Sequence, residues 1–273
     1  MTTSGVIPTG PWMLRCSPSP ERVLRMTAKR ATGLLCLDFD GVICNSVNEC
    51  MLVAFNAYSG TGYTGLDALP AGYRETFRRY RYLVRDPGEY FLLVDMFHRG
   101  VDIDEAQFAD AANQKVFRCR NFKVKFFAAR RELRDRDMQA WLRLHPPYKG
   151  FVDFIERASV PIDIITTKDE ESVNLLLQEY AVRDKVGHIF GQEALVIYGG
   201  KAGAIREACR RSGVVPGETA YLDDHLKHLA DVRETGVKLW YATWGYANPS
   251  SSEIPDDIHA LTIDRAQEML GER

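Results

Sequence analysis

The 273-residue chain is 45% apolar and 26% charged, which is ordinary for a folded globular protein of one large domain or a domain with an insertion. Its formal net charge of −2 gives no sign of a nucleic-acid surface, and no apolar run reaches the ~18–20 residues that cross a bilayer. We therefore expect neither nucleic-acid nor membrane partners. The six cysteines contain no C-x-x-C pair, which favours free thiols in a reducing cytoplasm and argues against cysteine ligation of a metal.

The first 30 residues are rich in Pro, Ser, Thr and Gly and lack the apolar stretch of a secretory signal. We expect a poorly ordered leader over residues 1–30, with Met13 or Met26 as an alternative start. Residues 33–38 form a short apolar run, which predicts a buried strand. Residues 46–60 have apolar positions at helical spacing and end at glycine, which predicts a helix.

Helical patterns continue to about residue 148, and the segment HPPYKG at 145–150 marks a boundary. Beyond it strands alternate with helices, and the strand patterns are VPIDIIT, VGHIFG, TAYLDD and VKLWYAT. This alternation predicts βαβ units and a parallel sheet. We therefore predict an α/β core domain made of residues 31–45 and 149–273, with a helical insertion over residues 46–148.

The predicted insertion differs from the core in charge. Residues 46–149 hold 17 Lys and Arg against 13 Asp and Glu, whereas the rest of the chain is acidic. A basic insertion over an acidic core suits an anionic substrate closed between them, although arginine-rich helices are also common as solvated surfaces. The connections near Cys44–Ser46 and Pro146–Gly150 are the expected hinges of such a closure.

Polar side chains follow three of the predicted strands, and a lysine, Lys201, opens a helix after YGG. The strand-end residues are Asp38 and Asp40, Thr166 and Thr167, and Asp223 and Asp224. Ligands of parallel sheets bind at the carboxyl ends of the strands, so these groups should converge on one site. Several carboxylates at one point need a cation, and Mg²⁺ with a phosphate-bearing substrate fits this set of oxygen ligands.

Each of these segments also has a simpler interpretation when taken alone. FDGV is typical of a hairpin turn, TTKD of a helix N-cap, the DD pair of a turn, and Lys201 of a solvated lysine. Their order favours a functional site, because each group stands at a strand end within one α/β run.

The segments DFDGV, IITTK, GGKAG and YLDDH resemble the four motifs of the haloacid dehalogenase (HAD) superfamily, in their usual order. The helical insertion after the first motif resembles the C1 cap of phosphoglycolate-phosphatase-like members. The resemblance implies a Rossmann-like core sheet with a cap. It also implies that Asp38 is the nucleophile, Asp40 the general acid and base, Thr166 a hydrogen-bond donor to the phosphoryl group, and Lys201 an electrostatic anchor.

The same resemblance implies a Mg²⁺ site formed by Asp38, Asp40 and Asp224, with Asp223 as a further ligand or behind it. Two departures from the family pattern concern this site. The fourth motif has two consecutive aspartates where Gly-Asp is more usual, so the direct ligand is open. The further acid often found a few residues later is missing, because Lys227 or His228 stands there.

An aspartate at position 40 favours phosphoryl chemistry over dehalogenation, and the absence of lysine between residues 46 and 114 argues against a phosphonate-cleaving enzyme. The expected function is a Mg²⁺-dependent phosphatase that acts on a small phosphorylated metabolite through a phosphoaspartate. A phosphosugar mutase of the β-phosphoglucomutase type and a catalytically idle binding protein are the alternatives. The expected assembly is a monomer or a homodimer.

Substrate contacts beyond the phosphate are expected from the insertion. Arg78, Arg81 and Arg85 share one face at helical spacing, so we predict that at least one of them meets the substrate. A solvated or salt-bridged stripe is the alternative. Arg130 and Thr167 are weaker candidates for the same role.

Overall fold

A computed structural model describes residue 1 and residues 33–102, 104–246 and 254–266. The predicted leader over residues 1–30 lies outside the described residues, apart from Met1. None of the helices in the described part of the chain combines the length and the apolar character that a membrane crossing requires.

Among the described residues, six strands form one parallel sheet. In chain order they are β1 (Leu34–Leu37), β2 (Ile162–Ile165), β3 (Val186–Phe190), β4 (Thr219–Asp223), β5 (Lys238–Ala242) and β6 (Ile258–Leu261). Their spatial order is β3-β2-β1-β4-β5-β6. This is the doubly wound order in which the strand sequence reverses beside β1. The predicted α/β class is confirmed, and β6 is an edge strand that the sequence patterns did not indicate.

The central strand β1 is paired in parallel on both sides, with β2 and with β4. A hairpin at FDGV is therefore excluded, since a hairpin would pair β1 with an antiparallel neighbour. Leu34 and Cys36 pack into the hydrophobic cluster on one face of the sheet, whereas Leu35 and Leu37 pack into the cluster on the other face. A continuous apolar run is what a strand covered on both faces requires.

In the described part of the chain, five helices lie between the insertion and β6. They are α7 (Phe151–Arg157), α8 (Glu170–Glu179), α9 (Gln192–Tyr198), α10 (Lys201–Ser212) and α11 (Leu226–Val232). The hydrophobic cluster that contains Leu34 and Cys36 also contains apolar residues of α9, α10 and α11, so these helices cover that face of the sheet. Helix α9 was not predicted, because two of its apolar residues, Val196 and Ile197, are exposed.

The region after β1 is helical, as predicted. Its helices are α1 (Val47–Ser59), α2 (Tyr73–Tyr80), α3 (Tyr90–Arg99), α4 (Glu105–Gln114), α5 (Val116–Arg136) and α6 (Met138–Arg143). Every residue of α1 from Glu49 to Asn56 is buried, because the helix is enclosed by its neighbours. One hydrophobic cluster contains residues of α1, α3 and α5 together with β1 and β2, so the helical region and the sheet share a core.

The two connections between the helical region and the sheet run side by side. The N–H of Asn45 donates to the carbonyl of Pro146 (2.9 Å), and the N–H of Tyr148 donates to the carbonyl of Ile43 (2.9 Å). The chain therefore leaves the sheet and returns to it at the same place. The domain boundaries at residues 45 and 149, and the hinge role of these connections, stay predictions.

Candidate active site

The carboxyl ends of the central strands bring distant residues to one edge of the sheet. Asp38 follows β1, and its N–H donates to the carbonyl of Leu222 in β4 (2.9 Å). Thr166 follows β2, and its N–H donates to the carbonyl of Phe190 in β3 (3.0 Å). Since β4 ends at Asp223, polar groups from three strands lie along the edge at which open parallel sheets bind ligands.

A small cavity of about 30 Å³, which we call the chamber, lies at this edge. Residues after the strand ends and residues of the helical region line it together: Asp38, Asp40, Thr166, Thr167, Asp224, His225, His228 and Tyr246 on one side, and Arg81, Arg85, Tyr90 and Arg130 on the other. The chamber is therefore enclosed by both parts of the chain.

Lys201, the first residue of α10, joins two aspartates of the sheet edge. Its ammonium lies 2.9 Å from Oδ2 of Asp38, 2.7 Å from Oδ2 of Asp223 and 3.2 Å from Nδ1 of His228. We call these four residues the Lys201 cluster. Lys201 is 8% exposed, so the interpretation as a solvated lysine is wrong.

His228 extends the Lys201 cluster to the helical region. Its Nε2 donates to the backbone carbonyl of Arg85 at 3.1 Å. A carbonyl oxygen only accepts hydrogen bonds, so Nε2 carries a hydrogen in this contact. The imidazole thus links Lys201 to the backbone of the helical region.

The two aspartates of the Lys201 cluster have opposite pKa shifts. Burial raises the pKa of Asp38, and the charge of Lys201 offsets this only in part. Asp223 is also buried, but Lys201 and His228 outweigh the cost of burial and hold its pKa well below the usual range. The paired carboxylates in turn raise the pKa of Lys201 against the effect of burial. Asp223 and Lys201 therefore form the fixed ion pair beside Asp38.

Asp38, Asp223 and His228 place possible metal-ligand atoms within 4.8 Å of one another. The ammonium of Lys201 lies among these atoms and contacts all three residues. The cation of this group is thus the lysine itself, because a metal ion at the same point would be repelled by it. Asp223 is further engaged by the hydroxyl of Tyr221 and by the N–H of His225.

Asp224 fits a metal ion better than Asp223 does. Among the described residues, its carboxylate accepts one hydrogen bond, from the N–H of Tyr246 at 2.8 Å. Burial, with the negative charges of Asp223 and Asp38, raises the pKa of Asp224 to about 7. A buried carboxylate with few donors and acidic neighbours is a group that a hard divalent cation would stabilise.

Two glycines make room for the side chain of Asp224. A Cβ on Gly41 would lie 2.2 Å from Oδ2 of Asp224, and a Cβ on Gly245 would lie 2.1 Å from its Cβ. Gly41 also has φ +87°, in the region that favours glycine. The glycine after Asp40 is therefore required by the close approach of Asp224.

Asp40 is held by a second buried lysine. The ammonium of Lys168 lies 3.1 Å and 3.3 Å from the two carboxylate oxygens of Asp40. The same ammonium lies 3.2 Å from Nε2 of His145 and 3.9 Å from Oε2 of Glu49. Arg130 pairs with both oxygens of Glu49 at 2.6 Å and 3.0 Å. We call these five residues the Lys168 cluster.

The charges of the Lys168 cluster keep its acids ionised. Burial disfavours the charged form of Asp40, but Lys168 and then Arg130 outweigh it and lower the pKa of Asp40. Glu49 is equally buried, and Arg130 and Lys168 lower its pKa far below the usual range. Burial and the charge of Lys168 lower the pKa of His145 to about 4, so this imidazole is neutral near pH 7. Its Nδ1 donates to the carbonyl of Trp141 (2.9 Å), which leaves Nε2 to accept from Lys168.

No protein-family model matches this sequence, and a search of curated proteins gave no match. Solved structures do match the fold. A predicted phosphoglycolate phosphatase from Haemophilus somnus 129PT is 15% identical with a TM-score of 0.60, covering 88% of this chain and 96% of that one. A haloacid dehalogenase-like family protein from Streptococcus pneumoniae is 18% identical with a TM-score of 0.53, covering 88% and 97%. A HAD-superfamily hydrolase, subfamily IA, from Geobacter sulfurreducens is 12% identical with a TM-score of 0.56, covering 89% and 98%.

The chain has the fold of the HAD-like hydrolases. The match spans nearly the whole length of those structures, so it includes the helical region as well as the sheet. The fold expected from the four motif-like segments is confirmed.

The helix that follows β2 does not begin with the N-cap that the sequence TTKD suggests. Helix α8 is capped by Asp169, whose side chain accepts from the N–H of Ser172 (2.9 Å), so neither Thr166 nor Thr167 is the cap. Thr166 is buried, and its Oγ1 accepts from the N–H of Lys168 (3.2 Å). The hydroxyl hydrogen of Thr166 therefore remains available to a ligand in the chamber of this HAD fold.

The predicted arginine face is wrong, because α2 ends at Tyr80 and a 3₁₀ turn begins at Arg81. Arg78 is exposed and donates to Asn48 (2.9 Å) outside the chamber. Arg81 enters the chamber, with its guanidinium 4.2 Å from the ring centroid of Tyr246 and its buried Nε without a partner in the described residues. Arg85 lines the chamber but is paired with Glu89 (2.9 Å).

Arg130 borders the chamber, but its guanidinium is already engaged. Besides Glu49, it contacts Oδ2 of Asp169 at 2.9 Å. It is 2% exposed, so it acts on the chamber through its neighbours. Lys168, Glu49 and His145 were not identified from the sequence. Lys168 alone carried a signal, since it stands two residues after a predicted strand-end threonine within IITTK.

Proposed function

We propose that this chain is a Mg²⁺-dependent phosphatase that hydrolyses a small phosphate ester through a phosphoaspartate on Asp38. The observation that carries the proposal is the pair of aspartates in one chamber, each held by its own buried lysine. Two carboxylates in different charge environments are suited to two different roles. The HAD-hydrolase fold agrees with this chemistry.

In this proposal, the carboxylate of Asp38 attacks phosphorus while the bond from phosphorus to the ester oxygen breaks. Lys201 binds Oδ2 of Asp38 and keeps the nucleophile oriented. The free hydroxyl hydrogen of Thr166 donates to a phosphoryl oxygen, and Thr167 lines the same cavity as a further donor. Arg81 lies on the opposite side of the chamber as a positive contact for the bound ester.

Asp40 serves both proton transfers in the proposed cycle. It gives a proton to the departing alcohol and then takes one from the water that cleaves the phosphoaspartate. The salt bridge with Lys168 holds Asp40 as an anion, the form required for the second transfer. A bound dianionic phosphate ester would raise its proton affinity, as the first transfer requires.

The metal ligands proposed are the carboxylates of Asp38 and Asp224 and the backbone carbonyl of Asp40, with Asp223 behind them in its pair with Lys201. Asp224 supports this choice because burial and two neighbouring aspartates raise its pKa to about 7. When bound there, Mg²⁺ would neutralise the carboxylates and polarise a phosphoryl oxygen. Because the five described cysteines are buried free thiols, we also propose the reducing cytoplasm as the location of the enzyme.

The test is phosphate release from a panel of phosphate monoesters, with and without Mg²⁺, by wild type, Asp38→Asn and Asp153→Asn. Asp153 is an exposed residue of α7 and serves as the matched control. We expect Mg²⁺-dependent release that Asp38→Asn abolishes and Asp153→Asn preserves. Release that persists in Asp38→Asn would contradict the proposal, whereas conversion of one sugar phosphate isomer into another without release would identify a mutase.

A further inference from the structure

A second, larger cavity adjoins the chamber, and we call it the crevice. Its volume is about 530 Å³, within the range typical of small-molecule sites, whereas the chamber has about 30 Å³. Arg85, Asp86, Thr167 and His228 line both cavities. A phosphate ester whose phosphoryl group occupies the chamber therefore has room for its alcohol part in the crevice.

One wall of the crevice is apolar. It is formed by Leu195 and Val196 of α9 and by Ala202 of α10. Val196 is 73% exposed. Covering such an exposed valine with an apolar surface of a ligand removes it from water and is favourable for binding. This wall favours a ligand with an apolar face.

Three ion pairs lie among the polar residues that line the rest of the crevice. Arg85 pairs with Glu89, Lys123 with Asp86, and Lys227 with Asp231. Each of these three cations already has an acidic partner. The crevice therefore offers polar groups to a ligand, but these cations do not favour a second negative charge on it. The complementary ligand is uncharged, with hydroxyl groups on one side.

Resting on the proposed phosphatase function, we propose that the crevice is the leaving-group subsite for an uncharged, ring-bearing alcohol of sugar or nucleoside size. The two walls match a ring with one apolar face and one hydroxylated face. A two-carbon hydroxy acid would leave the crevice largely empty and bring a carboxylate to a surface of paired charges. The enzyme should therefore prefer ring-bearing esters over phosphoglycolate.

Two variants of α9 test the subsite. Val196→Trp fills the crevice, and Ile197→Trp is the matched control, since Ile197 is 76% exposed and does not line the cavity. We expect kcat/KM for a nucleoside 5′-monophosphate or a hexose 6-phosphate to exceed that for phosphoglycolate at least about tenfold. Val196→Trp should lower this kcat/KM about tenfold through KM and should lower turnover of acetyl phosphate much less. Ile197→Trp should change neither.

The outcomes separate this inference from the proposed function. Acetyl phosphate turnover that requires Mg²⁺ and Asp38 supports the phosphatase. The subsite proposal is then wrong, while the phosphatase proposal stands, under either of two results. One is a higher kcat/KM for phosphoglycolate than for the ring-bearing esters, and the other is an effect of Val196→Trp on kcat/KM no larger than that of Ile197→Trp. Calorimetric binding of the two ring-bearing esters to Asp38→Asn gives a readout independent of turnover. Weaker binding after adding Val196→Trp supports the subsite, and failure of both esters to bind overturns it.

Discussion

The Lys201 cluster and the Lys168 cluster each hold one aspartate of the chamber, but their members come from different parts of the chain. Asp38, Lys201, Asp223 and His228 all belong to the α/β part. The Lys168 cluster takes Glu49 from α1, Arg130 from α5 and His145 from the end of the helical region. The charges around Asp38, the proposed nucleophile, thus come from the α/β part, whereas the charges around Asp40 come largely from the helical region.

Replacing Lys201 by methionine should have the largest effect, because it leaves Asp38 and Asp223 without their shared cation. We expect kcat to fall about 10³-fold, as for the loss of a preorganised charge contact in a buried site. The measurement is steady-state hydrolysis of acetyl phosphate, with Lys185→Met as an exposed control. Retention of more than a tenth of the wild-type kcat would contradict the role given to Lys201.

Glu49→Gln should act on stability, because it leaves the buried Arg130 without its main counter-charge and removes a negative charge beside the buried Lys168. We expect the free energy of unfolding to fall by about 3–5 kcal/mol, measured by urea denaturation. Folding lowers the pKa of Glu49, so its contribution is present above its unfolded pKa of about 4.3 and is lost as the pH falls.

The matched control for Glu49→Gln is Glu156→Gln, an exposed change in α7 that should cost less than about 0.5 kcal/mol. The double variant Glu49→Gln with Arg130→Met should be more stable than the sum of the single variants predicts, because both charges of the pair are removed together. Equal stability of Glu49→Gln and wild type would show that Glu49 is not essential to the Lys168 cluster.

Lys168→Met should have the smallest effect on rate, about 10–10²-fold in kcat, because the charge of Arg130 remains near Asp40. Lys168 is the main group that lowers the pKa of Asp40 against burial, so its removal raises that pKa. At a given pH, less Asp40 is then available as a base. Because Asp40 acts as a base when water cleaves the phosphoaspartate, the acidic limb of the kcat profile should move to higher pH, and Lys168→Arg should move it less. If the acidic limb of the pH profile were unchanged, Lys168 would have no influence on proton transfer by Asp40.

The core strands could be predicted because their signals are local, and so could Asp38, Lys201 and Asp223 of the Lys201 cluster, although His228 was not identified. Each strand is a short apolar run, and Asp38, Thr166 and Asp223 stand directly at strand ends. The edge strand β6 escaped prediction because its sequence, IHAL, is short and polar in part. Helix α9 escaped because its outer apolar residues face solvent instead of forming a polar stripe.

The Lys168 cluster could not be predicted, because its contacts join residues far apart in the chain. Arg130 and Glu49 are 81 residues apart, and Lys168 and Asp40 are 128 residues apart. Taken singly, a glutamate in α1 or an arginine in α5 is indistinguishable from a surface residue of a helix. The arginine face failed for a related reason, since the change from α-helix to 3₁₀ turn after Tyr80 has no Gly or Pro to mark it.

The side-by-side connections at Asn45 and Pro146 have an evolutionary consequence. The helical region starts and ends at neighbouring points of the sheet, so it is connected like a long loop. The entropic cost of closing a loop rises only slowly as the loop lengthens. The sheet can therefore accept inserted segments of very different size at this point. A foreign helical segment grafted between Ile43 and Tyr148 would inherit Asp38 with its lysine intact. It would have to bring its own equivalents of Glu49, Arg130 and His145 before Asp40 regained its present surroundings.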